Sequence, residues 1–304
     1  MPNPLIVMGE HHCDPRSRET LKALLVELRG LDYSRLCLEQ PSQLNQAQML
    51  KLIDSTIAVI EALVKEAMQR TLFQGTAEDF LQLPYSVLVT LLTTVTPDAL
   101  KMALTIQSLI PHRILKSACE LWVQMGGTLH AYDLDSAHEK AINEVTLENW
   151  IANGYKELQH REGYMSAQIK QHYGSNAGTI VLTGLGHLSG LFRCFQTMNM
   201  ANNCLVVFPH ASQWLGDNAD QILPKLAVKL PSNTLTAIVD TQTQIAHFIK
   251  ICKQRLQTLT ARFTDASNAP TFTPLANASN SKPPVTTHAD DSFSFMKNAF
   301  KNGF

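Results

Sequence analysis

Four short apolar runs in the chain each end in residues that can carry out chemistry. They run into Gly9-Glu10-His11-His12, Glu39-Gln40, Asp133-Leu134-Asp135 and Gly184-Leu185-Gly186-His187. Short apolar runs that alternate with helical stretches are typical of buried parallel strands joined by crossover helices. Since the strands of such a sheet point the same way, their polar ends share the carboxyl edge, where ligands bind. The pattern predicts that Glu10, His12, Glu39, Asp133 and His187 line one cleft.

The same runs predict an α/β fold with a mostly parallel central sheet flanked by helices, in a single domain over residues 1–263. The first unit is strand, helix, strand, with its helix over 17–28. Further strands are expected at 179–183, 204–208 and 236–239, and a long helical stretch over 136–173 is expected to be interrupted near Gly154.

Helical spacing dominates residues 43–126, between the second and third strands. We interpret this stretch as a helical insertion that caps the cleft. Pro84, Pro97 and Pro111 are expected to divide it into successive helices, because proline disrupts the hydrogen bonds of a helix interior.

The composition changes from residue 264 to Ser, Thr, Asn, Pro and Ala, which predicts a disordered tail over 264–304. Within its last residues, Phe293, Met296, Phe300 and Phe304 share one helical face. Two interpretations of residues 293–304 stay open. They are a frayed end, or a protein-docking or secretion peptide that folds on binding.

Composition narrows the function classes. The 304 residues carry a formal net charge of -1 and contain no basic run interleaved with aromatics, which argues against nucleic-acid binding. The sequence shows no secretory signal and no apolar stretch long enough to span a bilayer. The six cysteines are scattered, which predicts reduced thiols. The expected location is cytoplasmic, or alternatively outside the cell by a route without a classical signal peptide.

The segment Gly9–His12 is the first candidate for chemistry. Glycine at a strand end lets the backbone approach a ligand closely, while the Glu10 and His12 side chains can bind a metal or move protons. His11 is a candidate for substrate binding. The alternative is that these are ordinary polar residues of an exposed turn.

The second candidate segment, residues 184–190, is rich in glycine. Gly184 and Gly186 would allow a tight turn whose free N–H groups bind a substrate anion or an oxyanion. It is not a P-loop, since no Gly-Lys-Ser/Thr follows. The alternative gives His187 a local role as a helix N-cap neighbour.

The third candidate, Arg161, lies with Glu162 on the helix before the fourth strand. If that face points to the sheet, Arg161 is a buried cation that needs a carboxylate or an anionic substrate. If it points outward, it is an ordinary solvated residue. A Cys13 nucleophile beside His12 is a further option, although free cysteines more often fill cores.

Together, these segments resemble the TraB/Tiki and ChaN-like group, which shares a fold with erythromycin esterase. The resemblance spans roughly residues 5–208. It is carried by Gly-x-x-His at 9–12 and at 184–187, by Glu39, and by an Arg-Glu/Asp-x-x-Met segment at 161–165. It implies an α/β core in which these residues line one pocket. Tiki-like members are described as metal-dependent proteases, the esterase branch hydrolyses a lactone ring, and ChaN-like members bind haem.

The leading hypothesis is a metal-dependent hydrolase of peptide or ester bonds. His12 and His187 would bind a divalent metal or act as acid and base, and the catalytic side chains would be Glu10, Glu39 and Arg161. The candidates for substrate binding are His11, Asp133, Glu162, Gly184 and Gly186.

Two alternatives stay open. One is a protein that binds haem or another small anion without turnover, with Tyr132 and Tyr164 as candidate axial ligands of haem. The other is a bacterial effector or interaction protein that acts through its C-terminal tail.

Overall fold

The computed structural model describes residues 4–10, 12, 14–134, 147–173, 177–209, 235–239 and 242–266. The chain divides into two units, Met1–Phe263 and Thr264–Phe304, and the fold below is that of the first. His11, Cys13 and the predicted docking peptide at 293–304 lie outside the described residues.

The described residues contain a six-stranded sheet in which every pair of neighbouring strands is parallel. Its strands are β1 (Leu5–Glu10), β2 (Tyr33–Pro41), β3 (Thr128–Asp133), β4 (Gly178–Gly184), β5 (Cys204–Pro209) and β6 (Leu235–Val239). They lie in the order β3-β2-β4-β1-β5-β6. The predicted α/β fold with a parallel sheet is therefore confirmed.

The strand register aligns the carboxyl ends of neighbouring strands. Glu10 at the end of β1 lies opposite Gly184 at the end of β4. Asp133 at the end of β3 lies opposite Pro41 at the end of β2. The polar ends of β1 to β4 thus meet at one edge of the sheet, as parallel pairing requires.

Nine helices of four or more residues lie within the described residues. They are α1 (Pro15–Arg29), α2 (Gln46–Arg70), α3 (Ala77–Leu81), α4 (Tyr85–Thr93), α5 (Ala99–Gln107), α6 (Leu109–Gln124), α7 (Leu147–His172), α8 (Leu188–Thr197) and α9 (Gln242–Ala266). A 3₁₀ turn, Leu185–His187, leads from β4 into α8. Within this described part, none of the helices combines the length and apolar character needed to cross a bilayer.

Two predicted interruptions differ in the structure. Pro111 lies inside the first turn of α6 instead of between helices. Proline is tolerated there because first-turn N–H groups have no acceptor within the helix. The helix α7 also runs through Gly154 without a break. A single glycine costs a helix only about 1 kcal/mol, which flanking turns readily offset.

Both faces of the sheet are buried, which explains why its strands read as continuous apolar runs. One face packs on α1, α6 and α9, with Met8 and Trp122 in the same cluster. The opposite face packs on α7 and α8, with Val7 and Phe192 in its cluster. Successive residues of β1 therefore point to opposite helical layers, as the pleat of a strand dictates.

The helical insertion is divided between two cores. Helices α3 to α5, the later part of α2 and the start of α6 share a separate apolar cluster around Phe80 and Leu92. The start of α2 and the rest of α6 belong to the sheet core, and α6 is joined to α1 by a hydrogen bond from Lys22 Nζ to Ser117 Oγ of 2.9 Å. The end of the insertion thus completes the helical layer beside the carboxyl end of β1.

We expect Trp122→Ala to destabilise the fold by about 3–5 kcal/mol, because it empties a fully buried site in the sheet core. It also removes the indole N–H that donates to the Thr128 carbonyl at 3.2 Å. Urea unfolding measures the change. Leu100→Ala is the control, since Leu100 is 61% exposed and should shift stability by less than about 0.5 kcal/mol. Equal effects of the two substitutions would contradict this packing.

Candidate functional site

A carboxylate and an imidazole pair at the end of β1. The Nδ1 atom of His12 lies 3.0 Å from Oε1 of Glu10. Arg18, from α1, holds the same carboxylate oxygen at 2.5 Å. The side chains of Glu10 and Arg18 are 1% and 6% exposed, whereas that of His12 is 50% exposed. The pair is therefore anchored inside the protein and presents its imidazole to solvent.

Because Glu10 and Arg18 are buried, their contacts fix how His12 can act. Glu10 Oε1 is an acceptor for the His12 Nδ1–H, so the lone pair of the neutral ring lies on Nε2. Arg18 Nη2 lies 3.5 Å from His12 Nδ1, at the outer limit of a hydrogen bond. The geometry favours a ring whose Nε2 accepts protons.

The carboxylate of Glu39, at the end of β2, lies between the two predicted histidines. His12 Nε2 lies 3.7 Å from Glu39 Oε2, and His187 Nε2 lies 3.3 Å from Glu39 Oε1. The backbone N–H of Gly184 donates to Oε2 at 2.9 Å. Two histidines that are 175 positions apart in sequence thus lie on either side of one carboxyl group.

Arg161 points inward from α7, which decides between the two orientations left open by the sequence. Its Nε and Nη2 atoms donate to the two oxygens of Asp133 at 2.9 and 2.5 Å. Its Nη2 also donates to Glu39 Oε1 at 3.3 Å. A forked arginine–carboxylate pair of this kind fixes both position and direction. Asp133 therefore anchors Arg161, and its predicted contact with substrate stays a prediction.

Gly184 and Gly186 have different surroundings. A Cβ added to Gly184 would lie 2.6 Å from His12 Nε2, so only glycine leaves room for the ring at the end of β4. A Cβ added to Gly186 would meet nothing within 4 Å. Gly184 thus shapes the cleft, while Gly186 lies in open space at its rim.

The charges within the cleft strongly shift the pKa values of its side chains. Burial alone would raise the pKa of Glu39, but His187, His12 and the Gly184 N–H outweigh it and lower the pKa to about 2. Burial alone would lower the pKa of His187, but the carboxylates of Glu162 and Glu39 outweigh it and raise the pKa to about 9. Near neutral pH the cleft therefore holds an ionised Glu39 beside a protonated His187.

The pKa of His12 is raised, like that of His187. Loss of solvent alone would lower its pKa, but the hydrogen bond to Glu10 and the charges of Glu10 and Glu39 raise it above its ordinary value. His112, from α6, is affected by the charges of Arg18, His12 and Glu10, although burial is the main reason that its pKa is lowered. The insertion thus contributes a titratable side chain near this cluster.

The metal site predicted at His12 and His187 stays a prediction. Within the described part of the chain, no three His, Cys, Asp or Glu side chains are placed to hold a metal ion. His187 Nε2 instead faces Glu39, and Glu39 is shared with Arg161. A metal and a proton compete for the same ring nitrogen, so His187, with a pKa of about 9, would release a proton on binding a metal. The side chains of the cleft also offer acid and base groups that act without a metal.

Several other side chains are committed to internal contacts. The hydroxyl of Tyr132, proposed as a haem ligand, is buried and donates to the Leu182 carbonyl at 2.7 Å. That of Tyr164 lies 2.6 Å from Ser42 Oγ. Among the described cysteines, burial raises the pKa of Cys37, Cys119, Cys204 and Cys252 to about 12, as expected for core thiols.

The sequence interpretation missed Arg18. A charge on the apolar stripe of α1, three and seven residues before Leu21 and Leu25, was the signal that could have revealed it. No such signal marks Arg193, which lies 49% exposed with Nη2 3.7 Å from Glu162 Oε2.

Comparison with known proteins adds no family assignment. No protein-family model matches the chain, and no curated protein or solved structure matches it either. The resemblance to the TraB/Tiki and ChaN-like group stays a prediction, and the function must be argued from the cleft itself.

We expect the free energy of unfolding to fall as pH rises from 6.5 to 9. His187 binds its proton more tightly in the folded state, with a pKa of about 9 against an ordinary value of 6.5. Its contribution is complete below pH 6.5 and disappears as pH passes 9, a change on the order of 3 kcal/mol.

Urea unfolding of the wild type and of His187→Gln at pH 6 and pH 9 tests this expectation. The raised pKa of His12 gives both proteins a slope of the same sign. The difference between them is therefore the quantity to measure. The same loss of stability in both proteins would contradict the assigned protonation of His187.

Proposed function

We propose that the chain is a hydrolase of carboxylic ester or amide bonds, in which His12 activates the attacking water. The observation that carries the proposal is the 3.0 Å contact between His12 Nδ1 and Glu10 Oε1, on a ring that is half-exposed. A general base needs an orienting partner on one nitrogen and access to the reactant on the other. Glu10 meets the first requirement, and the 50% exposure of the His12 side chain supports the second.

His12 is a better base for this reaction than Glu39. A carboxylate whose pKa is about 2 holds protons too weakly to activate water efficiently near neutral pH. The His12 imidazole, whose pKa is raised above its ordinary value by Glu10 and Glu39, is a stronger base than that carboxylate. Glu39 is assigned the role of a fixed anion that orders the groups around it.

His187 supplies positive charge to the transition state in this scheme. Its side chain is 13% exposed, so it keeps some access to solvent. In the protonated form, its charge can stabilise an oxygen that gains negative charge. Arg161, 23% exposed and fixed by Asp133, adds positive charge on the same side of Glu39.

The reaction is then a balanced hydrolysis. His12 Nε2 takes a proton from water as the water oxygen attacks the carbonyl carbon, and Glu10 stabilises the imidazolium that forms. The carbonyl oxygen gains negative charge, which the positive charges of His187 and Arg161 stabilise. When the bond to the leaving group breaks, the proton on His12 passes to that group. The products are a carboxylic acid and an alcohol or amine.

We expect His12→Ala to lower kcat/KM about 10²–10⁴-fold, because it removes the general base. Turnover of panels of 4-nitrophenyl esters and fluorogenic peptides measures the loss. His160→Ala is the matched control, since His160 is an exposed residue on α7. Equal rates for wild type and His12→Ala on a hydrolysed substrate would end the proposal.

The pH dependence of kcat/KM is expected to be bell-shaped. The rising limb reports deprotonation of His12 above its ordinary pKa, and the falling limb reports loss of the proton from His187 near pH 9. The substitution His187→Gln should remove the falling limb and leave the rising one. A falling limb that persists in this variant would show that a group other than His187 loses its proton there.

Dialysis against EDTA should leave the hydrolysis rate within about twofold, because the described donor groups do not form a three-ligand metal site. The rate before and after dialysis, with bound metal measured by mass spectrometry, gives the result. Loss of activity that zinc or manganese restores would favour the metal-dependent hydrolase that the sequence predicted.

A further inference from the structure

Glu162 lies on α7 next to Arg161, but the two side chains contact groups of opposite charge. Arg161 meets the carboxylates of Asp133 and Glu39. Glu162 is buried, and its Oε1 lies 3.8 Å from His187 Nδ1. The helix thus delivers a cation to Glu39 and an anion to His187. The side chain of Glu162 is only 3% exposed and faces His187, and its predicted role in substrate binding stays a prediction.

Gly190, in the first turn of α8, makes room for this carboxylate. A Cβ built on Gly190 would fall directly on the carboxylate atoms of Glu162. Any larger residue there would force the buried carboxylate away from its present position. Gly190 is the last glycine of the 184–190 segment, and this contact gives a physical reason for it.

The imidazole of His187 lies between two carboxylates. Glu39 faces its Nε2 atom at 3.3 Å, and Glu162 faces its Nδ1 atom at 3.8 Å. The Nδ1 atom is buried and has no hydrogen-bond partner. A movement of under about 1 Å would bring Glu162 within hydrogen-bond range of it.

We propose that Glu162 is a positioning residue that holds the His187 ring through the Nδ1 atom of His187. The lack of a side chain at Gly190 leaves space for the Glu162 carboxylate. The inference rests on the proposed function, because it explains how the protonated His187 ring is kept in place beside the reacting oxygen. A carboxylate on the far nitrogen of a histidine commonly fixes the ring's orientation and protonation.

The other charges near the ring decide which substitutions are informative. Glu39 faces His187 from β2, and the positive charge of Arg161 opposes protonation. Arg193, from α8, lies 3.7 Å from Glu162 and is partly solvated. Glu162→Gln removes one of the two carboxylates that favour the proton while keeping the size of the side chain.

We expect Glu162→Gln to lower kcat at pH 8 about 10–100-fold while KM changes less than about twofold, as for other residues that orient a functional histidine. NMR of ¹⁵N-labelled histidine gives a reading that does not depend on turnover. At pH 8 the wild-type His187 ring should carry protons on both nitrogens, and the variant ring on one. The signal of His187 is identified by its absence from His187→Gln.

The glycine pair provides a matched control. Gly190→Ala should reproduce both effects, and combining it with Glu162→Gln should add little, because both changes remove the same contact. Gly163→Ala makes the same chemical change next to Glu162, where an added Cβ meets nothing within 4 Å. It should retain the wild-type rate and the wild-type histidine spectrum.

The outcomes separate this inference from the proposed function. A doubly protonated His187 in Glu162→Gln, with unchanged kcat, would overturn the positioning role even if the enzyme is an active hydrolase. If no substrate is turned over by the wild type, the NMR comparison still decides the role of Glu162. If Gly190→Ala does not fold, the spectrum of Glu162→Gln decides.

Discussion

The Glu39 carboxylate at the end of β2 meets the N–H of Gly184, the imidazole of His187 and the guanidinium of Arg161. A carboxylate that is only 14% exposed would be costly without such partners. His187, His12 and the Gly184 N–H lower its pKa to about 2, so it stays ionised across the physiological range. This fixed anion in turn holds two cations in defined positions. The arrangement of side chains in the cleft follows from the attraction between this carboxylate and its cationic neighbours.

The parallel sheet makes the arrangement possible, because it brings strand ends that are distant in sequence to one edge. The resulting cleft has two different halves. The half at β1 pairs Glu10 with a half-exposed His12, which can accept a proton. The half at β4 surrounds a more buried His187 with two carboxylates, which favours the protonated form. One base and one acid in the same cleft are the groups that hydrolysis of an ester or amide requires.

The sequence predicted the fold and the meeting of the strand ends because both depend on local patterns. Apolar runs of strand length, followed by polar residues, were enough to predict that Glu10, Glu39 and Asp133 lie at one edge of the sheet. The partners of those residues were harder to foresee, since they depend on how the helices pack. Whether Arg161 faces inward, whether Glu162 contacts a ligand or His187, and whether Arg18 joins Glu10 are set by helix rotation against the sheet. The spacing of one sequence leaves that rotation open.

The most direct test of the central claim is the pKa of the Glu39 carboxyl group, measured by ¹³C NMR of glutamate-labelled protein from pH 1.5 to 6. The signal is assigned by its loss in Glu39→Gln. The contacts with His187 and Gly184 and the charge of His12 predict a midpoint near 2, well below the ordinary glutamate value. A midpoint close to 4.5 would mean that Glu39 is solvated and does not organise the two histidines, and the account of the cleft would then be wrong.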